Sequence, residues 1–137
     1  MNANFKEKSA WLSAIAILVI FGNYFGRVWF FPGEDGDSAS LLVTVVVIFI
    51  ILEIVLHIGL ALGHPRENAD ERDTDVAGKS YRNAYYIVMI GVFYTLGGIL
   101  FAQPLALMTT TNMLVLSIVL GELVNFGSQI FYYRNGT

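Results

Sequence analysis

The chain has 137 residues, 55% of them apolar, with 8 Lys and Arg against 11 Asp and Glu for a formal net charge of -3. Its charges fall in a few short stretches between long apolar runs, which argues against a soluble enzyme and against a broad basic surface for nucleic acid. Cysteine is absent, which excludes disulfides, thiolate metal sites and cysteine nucleophiles.

The first apolar run covers residues 11–31 (WLSAIAILVIFGNYFGRVWFF). It is long, holds Asn23 and Arg27 near its far end, and shows no small-residue cleavage pattern before Pro32, so it is expected to be a retained membrane helix rather than a cleaved signal. Arg27 is expected at the outer boundary, where its guanidinium reaches headgroups or the acidic Glu34, Asp35 and Asp37. The second run, residues 41–62, is the most apolar and carries Glu53 with His57 one helical turn further on. The third and fourth runs cover residues 84–101 and 112–133, the last holding Glu122, Asn125 and Gln129 along one stripe. A run of about 20 residues crosses the hydrocarbon layer at about 1.5 Å per residue, so four helices account for most of the chain. The continuous Val, Ile and Leu runs do not resemble the alternating strands of a membrane barrel.

The expected fold is therefore all-α: a polytopic membrane protein with four transmembrane helices forming a single domain over residues 1–137. Aligning Lys8-Ser9 with Lys79-Ser80 places Gly26 on Gly97 and Phe30 on Phe101, and a small change of offset places Glu53 on Glu122. This faint repeat, with units 8–62 and 79–133, suggests two hairpins related by a pseudo-twofold axis along the membrane normal. Lys6, Lys8, Arg66, Arg72, Lys79, Arg82 and Arg134 all lie on one side of such a topology, so both termini are expected in the cytoplasm of a cell membrane. Trp11, Trp29, Phe30, Phe31, Tyr85, Tyr86, Tyr132 and Tyr133 cluster near helix ends, where amphipathic rings suit the membrane interface.

An ionisable side chain deep in a membrane helix is costly and normally faces protein or a water-filled cavity, so Glu53 and Glu122 dominate the functional reading. Under the two-hairpin arrangement they approach one depth from opposite sides of the bundle, which favours a shared proton. Three readings follow. Glu53, His57 and Glu122 exchange protons during movement of a small solute or ion, with Asn125, Gln129 and Tyr94 orienting cargo or water. Alternatively, the carboxylates and imidazole hold a divalent cation, although the doubled Glu-x-x-His pattern of dimetal bundles is absent. In the third reading the polar groups satisfy one another and fix helix register.

Gly22 with Gly26, Gly59 with Gly63, and Gly91, Gly97 and Gly98 mark expected close helix contacts. A chain of this size suggests a homodimer to enclose a solute path. No catalytic residue and no cofactor is expected. Asn135-Gly136-Thr137 matches a glycosylation acceptor on the wrong side of the membrane for modification.

The connector HPRENADERDTDVAGKSYRN, residues 64–83, reads as an exposed cytoplasmic segment leading into helix three at about Ala84. Its charges Asp70, Glu71, Arg72, Asp73 and Asp75 form a candidate docking surface for a cytoplasmic protein partner. The stretch Asp70-Glu71-Arg72-Asp73, continued by Val76, Lys79 and Ala84, resembles small uncharacterised bacterial membrane proteins with an Asp-Glu-Arg motif in the central cytoplasmic loop. That resemblance covers about a sixth of the chain beyond the helix pattern. It implies a compact four-helix protein of the bacterial inner membrane with a regulatory or partner-binding role, and no particular reaction or substrate. The alternative to proton-linked transport is thus a non-enzymatic regulatory or scaffold protein.

Overall fold

The computed structural model describes residues 5–31, 38–63, 71–101 and 106–135. They form four helices, α1 (Phe5–Phe30), α2 (Ser38–Gly63), α3 (Glu71–Phe101) and α4 (Leu107–Asn135). All four are long and apolar enough to cross a membrane. The β-branched runs of α2 would make a weak helix in water. In hydrocarbon they are helical because each backbone N–H and C=O must find its partner within the segment.

α1 packs against both α2 and α4, and α4 packs against both α1 and α3, the α3–α4 interface being the most extensive. The described helices are thus linked by contact in the order α2, α1, α4, α3. Ile17, Phe21, Tyr24 and Phe25 of α1 and Val119 of α4 form the buried core, flanked by Val45, Val46 and Phe49 of α2. Phe21 meets Phe49 edge to face with ring centroids 5.4 Å apart. A twofold exchanging α1 with α3 and α2 with α4 would match the α1–α4 packing with α2–α3 packing of similar extent. Among the described residues, α2 and α3 make no comparable interface.

α3 begins at Glu71, well before the expected start near Ala84. Glu71 and Asp73 lie in its first turn, where negative charge favours the positive end of the helix dipole. Asp75 pairs with Lys79 one turn on, at 2.9 Å. Val76, Ser80 and Ala84, four residues apart, are buried, so a charged stretch that reads as a loop has a packed face of small residues.

Tight contact between α3 and α4 has a covalent basis. A Cβ at Gly91 would collide with the Ser117 side chain, and one at Gly121 would collide with Val88 Cγ2. The other expected glycine contacts differ: a Cβ at Gly22, Gly26, Gly59 or Gly97 would meet open space within this chain.

The end of the bundle that holds the start of α1 and the end of α4 is laced by charge. Glu7, buried, receives Arg134 Nε at 2.8 Å, and the Arg134 guanidinium lies 5.5 Å from the Trp11 ring centre. Lys6 Nζ meets Asp73 Oδ2 at 2.7 Å, and the Tyr133 hydroxyl donates to Asp73 Oδ1 at 3.0 Å. Arg72 donates to the carbonyls of Tyr132 and Tyr133 at 3.4 and 3.0 Å, satisfying acceptors that the end of α4 leaves open. These contacts place the start of α1, the start of α3 and the end of α4 together.

Candidate functional site

Glu53 and His57 lie on the face of α2 that meets α1. The Ser13 hydroxyl, fully buried on α1, donates to Glu53 Oε2 at 2.9 Å. One turn towards the start of α1, Ser9 Oγ lies 3.2 Å from His57 Nε2. The spacing is reciprocal: one turn down α1 from Ser13 to Ser9 matches one turn along α2 from Glu53 to His57, as antiparallel helices require. Residues 9 and 13 were not singled out by sequence. Their four-residue interval, equal to that of the Glu53 and His57 pair, was the available signal.

The imidazole tautomer follows from its partners. Nδ1 is 2.8 Å from the Glu53 backbone carbonyl, which can only accept, so Nδ1 carries hydrogen. Nε2 of a neutral ring is then an acceptor and takes the Ser9 hydroxyl hydrogen. The same Nδ1 lies 3.3 Å from Glu53 Oε2. Ser9 and Ser13 of α1 thus bond His57 and Glu53 of α2, and the two α2 side chains approach each other to 3.3 Å, giving one polar chain across two helices. Its two α2 members differ in exposure: the His57 side chain is 52% exposed and that of Glu53 only 19%. Glu53 Oε1 is buried and has no hydrogen-bond partner among the described residues.

Glu122 occupies different surroundings. It lies exposed on α4, accepts from Asn125 Nδ2 at 3.3 Å, and Asn125 Oδ1 accepts from Gln129 Nε2 at 3.1 Å. These three residues make a polar stripe within one helix, with Asn125 buried. No hydrogen bond or ion pair joins Glu53 to Glu122 among the described residues: Glu53 is held by Ser13 of α1, whereas Glu122 is exposed and held by Asn125 of its own helix. The carboxylates therefore do not form the shared pair that the repeat suggested. No group of three or more His, Cys, Asp or Glu side chains placed to hold a metal occurs among the described residues.

Tyr94 belongs to neither cluster. It lines an apolar groove of about 690 Å³ between the far ends of α1, α3 and α4, with Trp29, Gly91 and Asn112. Across this end the buried Tyr24 hydroxyl donates to Asn112 Oδ1 at 2.6 Å.

Of the candidate docking residues, Asp73 is turned into the bundle and Arg72, though exposed, is engaged by the end of α4, whereas Asp75 is half exposed and pairs with Lys79 of its own helix. Glu71 is exposed in the first turn of α3. Asp70 lies outside the described residues, as do the acidic residues expected to face Arg27, and His64. Sequence reasoning read Lys6 only as an orientation signal and passed over Glu7, Asn83 and Ser128. The last two join α3 to α4 through Asn83 Nδ2 and Ser128 Oγ at 3.1 Å.

No protein-family model, curated protein or solved structure matches the chain.

Proposed function

We propose that this protein moves a small solute or ion across a membrane in exchange with or alongside protons, with Glu53 and His57 as the proton-handling pair. The observation that supports it is the Ser9–His57–Glu53–Ser13 chain, which runs from an exposed imidazole to a mostly buried carboxylate. A buried carboxylate satisfied only for structure would have both oxygens engaged, yet Glu53 Oε1 has no partner among the described residues.

The transfer balances as follows. A proton arrives at His57 Nε2, and the Ser9 hydroxyl turns from donor to acceptor. The Nδ1–H bond breaks and its proton passes to Glu53 Oε2, leaving the ring neutral with hydrogen on Nε2. In that tautomer the Nδ1 lone pair faces the Glu53 carbonyl at 2.8 Å, so the state is unfavourable; after Glu53 has passed its proton on, the half-exposed ring exchanges with water, losing the Nε2 hydrogen and gaining one at Nδ1 with no net change in protons. Glu122, Asn125 and Gln129 supply a second polar stripe along which cargo or water is oriented. The setting is a bacterial inner membrane with both termini cytoplasmic, and the faint repeat of 8–62 and 79–133 is retained as an ancestry of the two halves.

The test uses protein in vesicles loaded with a pH-sensitive dye, under an acid-outside gradient, with amino acids, small amines and inorganic cations offered in turn. Proton entry stimulated by one of these, and lost in Glu53→Gln at unchanged assembly, supports the reading. Stimulated entry that Glu53→Gln leaves intact overturns the proton role.

A regulatory or scaffold role is favoured by one observation: no residue in the spanning window of α2 is fully buried within the chain, so the face of this helix turned away from α1 is open to a membrane partner or a second copy. Asp75 and Glu71 are the charges for a cytoplasmic partner, because changing Asp73 also breaks the link to Lys6.

A further inference from the structure

The groove between α1, α3 and α4 is independent of the proton-handling pair, and its geometry has a simple origin. At one end of the bundle α1 and α3 are drawn together by the Lys6–Asp73 ion pair. At the other end they stand apart over α4 and leave about 690 Å³, within the range of roughly 300–1,000 Å³ usual for ligand sites.

The floor is chemically apolar despite its hydroxyls. Thr95 Oγ1 donates to the Gly91 carbonyl at 2.9 Å and Ser117 Oγ to the Met113 carbonyl at 2.8 Å, so both are spent within their own helices. Asn112 is different. Its Oδ1 is held by Tyr24, while Nδ2, which carries two hydrogens, meets no acceptor among the described residues. Asn112 lies five residues into α4, about 8 Å along its axis, and the groove continues two turns deeper to Leu120. A donor is thus set near the membrane boundary above an apolar slot.

We infer that this groove binds a bilayer glycerolipid, with an acyl chain in the slot beside Ile90, Leu116 and Leu120 and an ester carbonyl accepting from Asn112 Nδ2. In hydrocarbon an apolar slot gains little by exchanging one chain for another, so a resident lipid is distinguished from its neighbours by this hydrogen bond and by fit. Trp29, exposed at the rim, is suited to the headgroup boundary.

The test uses protein in phosphatidylcholine vesicles containing a phosphatidylcholine with a photoactivatable group on its acyl chain. The sample is passed into detergent lacking that lipid and then irradiated. Adducts should concentrate in residues 87–95 and 109–120 and be nearly absent from 43–52 of α2, which is apolar apart from Thr44, whose hydroxyl donates within its own helix, and serves as internal control. Asn112→Asp keeps the acceptor for Tyr24 and removes the donor, so groove adducts should fall roughly three- to eighteenfold, corresponding to the average and the maximum hydrogen-bond strength measured between membrane helices. Ile90→Trp should also lower them by filling the slot. Equal adduct density on α2 and the groove in the wild-type protein overturns the site, whatever the variants do. Groove adducts unchanged in a folded Asn112→Asp overturn the carbonyl contact. Glu53→Gln should leave the labelling unchanged, which separates this site from the proton pathway.

Discussion

Two carboxylates at similar depth in the sequence, Glu53 and Glu122, are held in opposite ways. Glu53 is clasped between helices by a serine from α1 and a histidine from its own turn, with one oxygen buried and unpartnered. Glu122 is exposed and accepts a hydrogen bond from Asn125 on the same helix. The contrast reverses what packing alone suggests, because among the described residues α4 packs extensively against two helices and α2 against one. Depth in an apolar run therefore marks an expensive group without saying whether it is a site; the partner supplied by a second helix does that.

The largest expected effect sharpens this contrast directly. Glu53→Gln should lower proton-linked flux at least tenfold, equivalent to about 1.4 kcal/mol, whereas Glu122→Gln should lower it far less, because Gln keeps a polar side chain in the stripe and only the charge is lost. Parallel dye-loaded vesicle measurements on the two variants decide it, and equal losses would erase the distinction. Next comes a packing test on the better-connected side. Gly91→Val should cost about 1–3 kcal/mol in thermal or denaturant unfolding in mild detergent, because its Cβ would meet the Ser117 side chain and its Cα, which move only if α4 moves. Gly121→Ala should cost less, since its obstacle is a single Val88 methyl and no Cα, although the stiff χ1 of a helical valine keeps the substitution destabilising.

Much of this architecture was readable from hydropathy: four apolar runs gave four long helices, because in lipid no other open segment satisfies its own backbone. The start of α3 was not, because Glu71, Asp73 and Asp75 dominate the local composition and hide the small residues Val76, Ser80 and Ala84 that pack. Glycine alone was also too narrow a signal. Ser117 and Gly121 have the small-x-x-x-small spacing of a close contact, while Gly22 and Gly26 have it and meet nothing in this chain. Within the candidate site, the Glu53 and His57 pair was legible from its one-turn interval. Ser9 and Ser13 were not, since a membrane serine ordinarily bonds back to its own helix and a single sequence carries no interhelical register. The expected meeting of Glu53 with Glu122 failed for a related reason: the repeat fixes which residues correspond, not which helices touch.

A smaller effect probes the clasp around Glu53. Ser13→Ala removes the hydroxyl donor to Oε2 and should destabilise the protein by about 0.6 kcal/mol, with an upper bound near 1.7, values typical of hydrogen bonds between membrane helices. The same variant should slow flux more than it lowers stability, because the carboxylate loses its fixed orientation towards His57. A loss of stability with unchanged flux would return Glu53 and Ser13 to a purely structural role.

The smallest effect concerns the exposed side of α2, and its sign carries the information. A Cβ at Gly59 meets open space within one chain, so Gly59→Ala should raise the stability of an isolated protomer by about 0.5–1 kcal/mol through helix propensity alone. If a second copy packs on this helix, the added methyl lies in the contact and the gain disappears or reverses, together with a shift towards monomer in native mass measurements from lipid. A lipid-facing α2 predicts a gain with no change in mass. That outcome would leave the imidazole of His57, already half exposed, accessible from the membrane-facing edge of α2 instead of from a dimer interface.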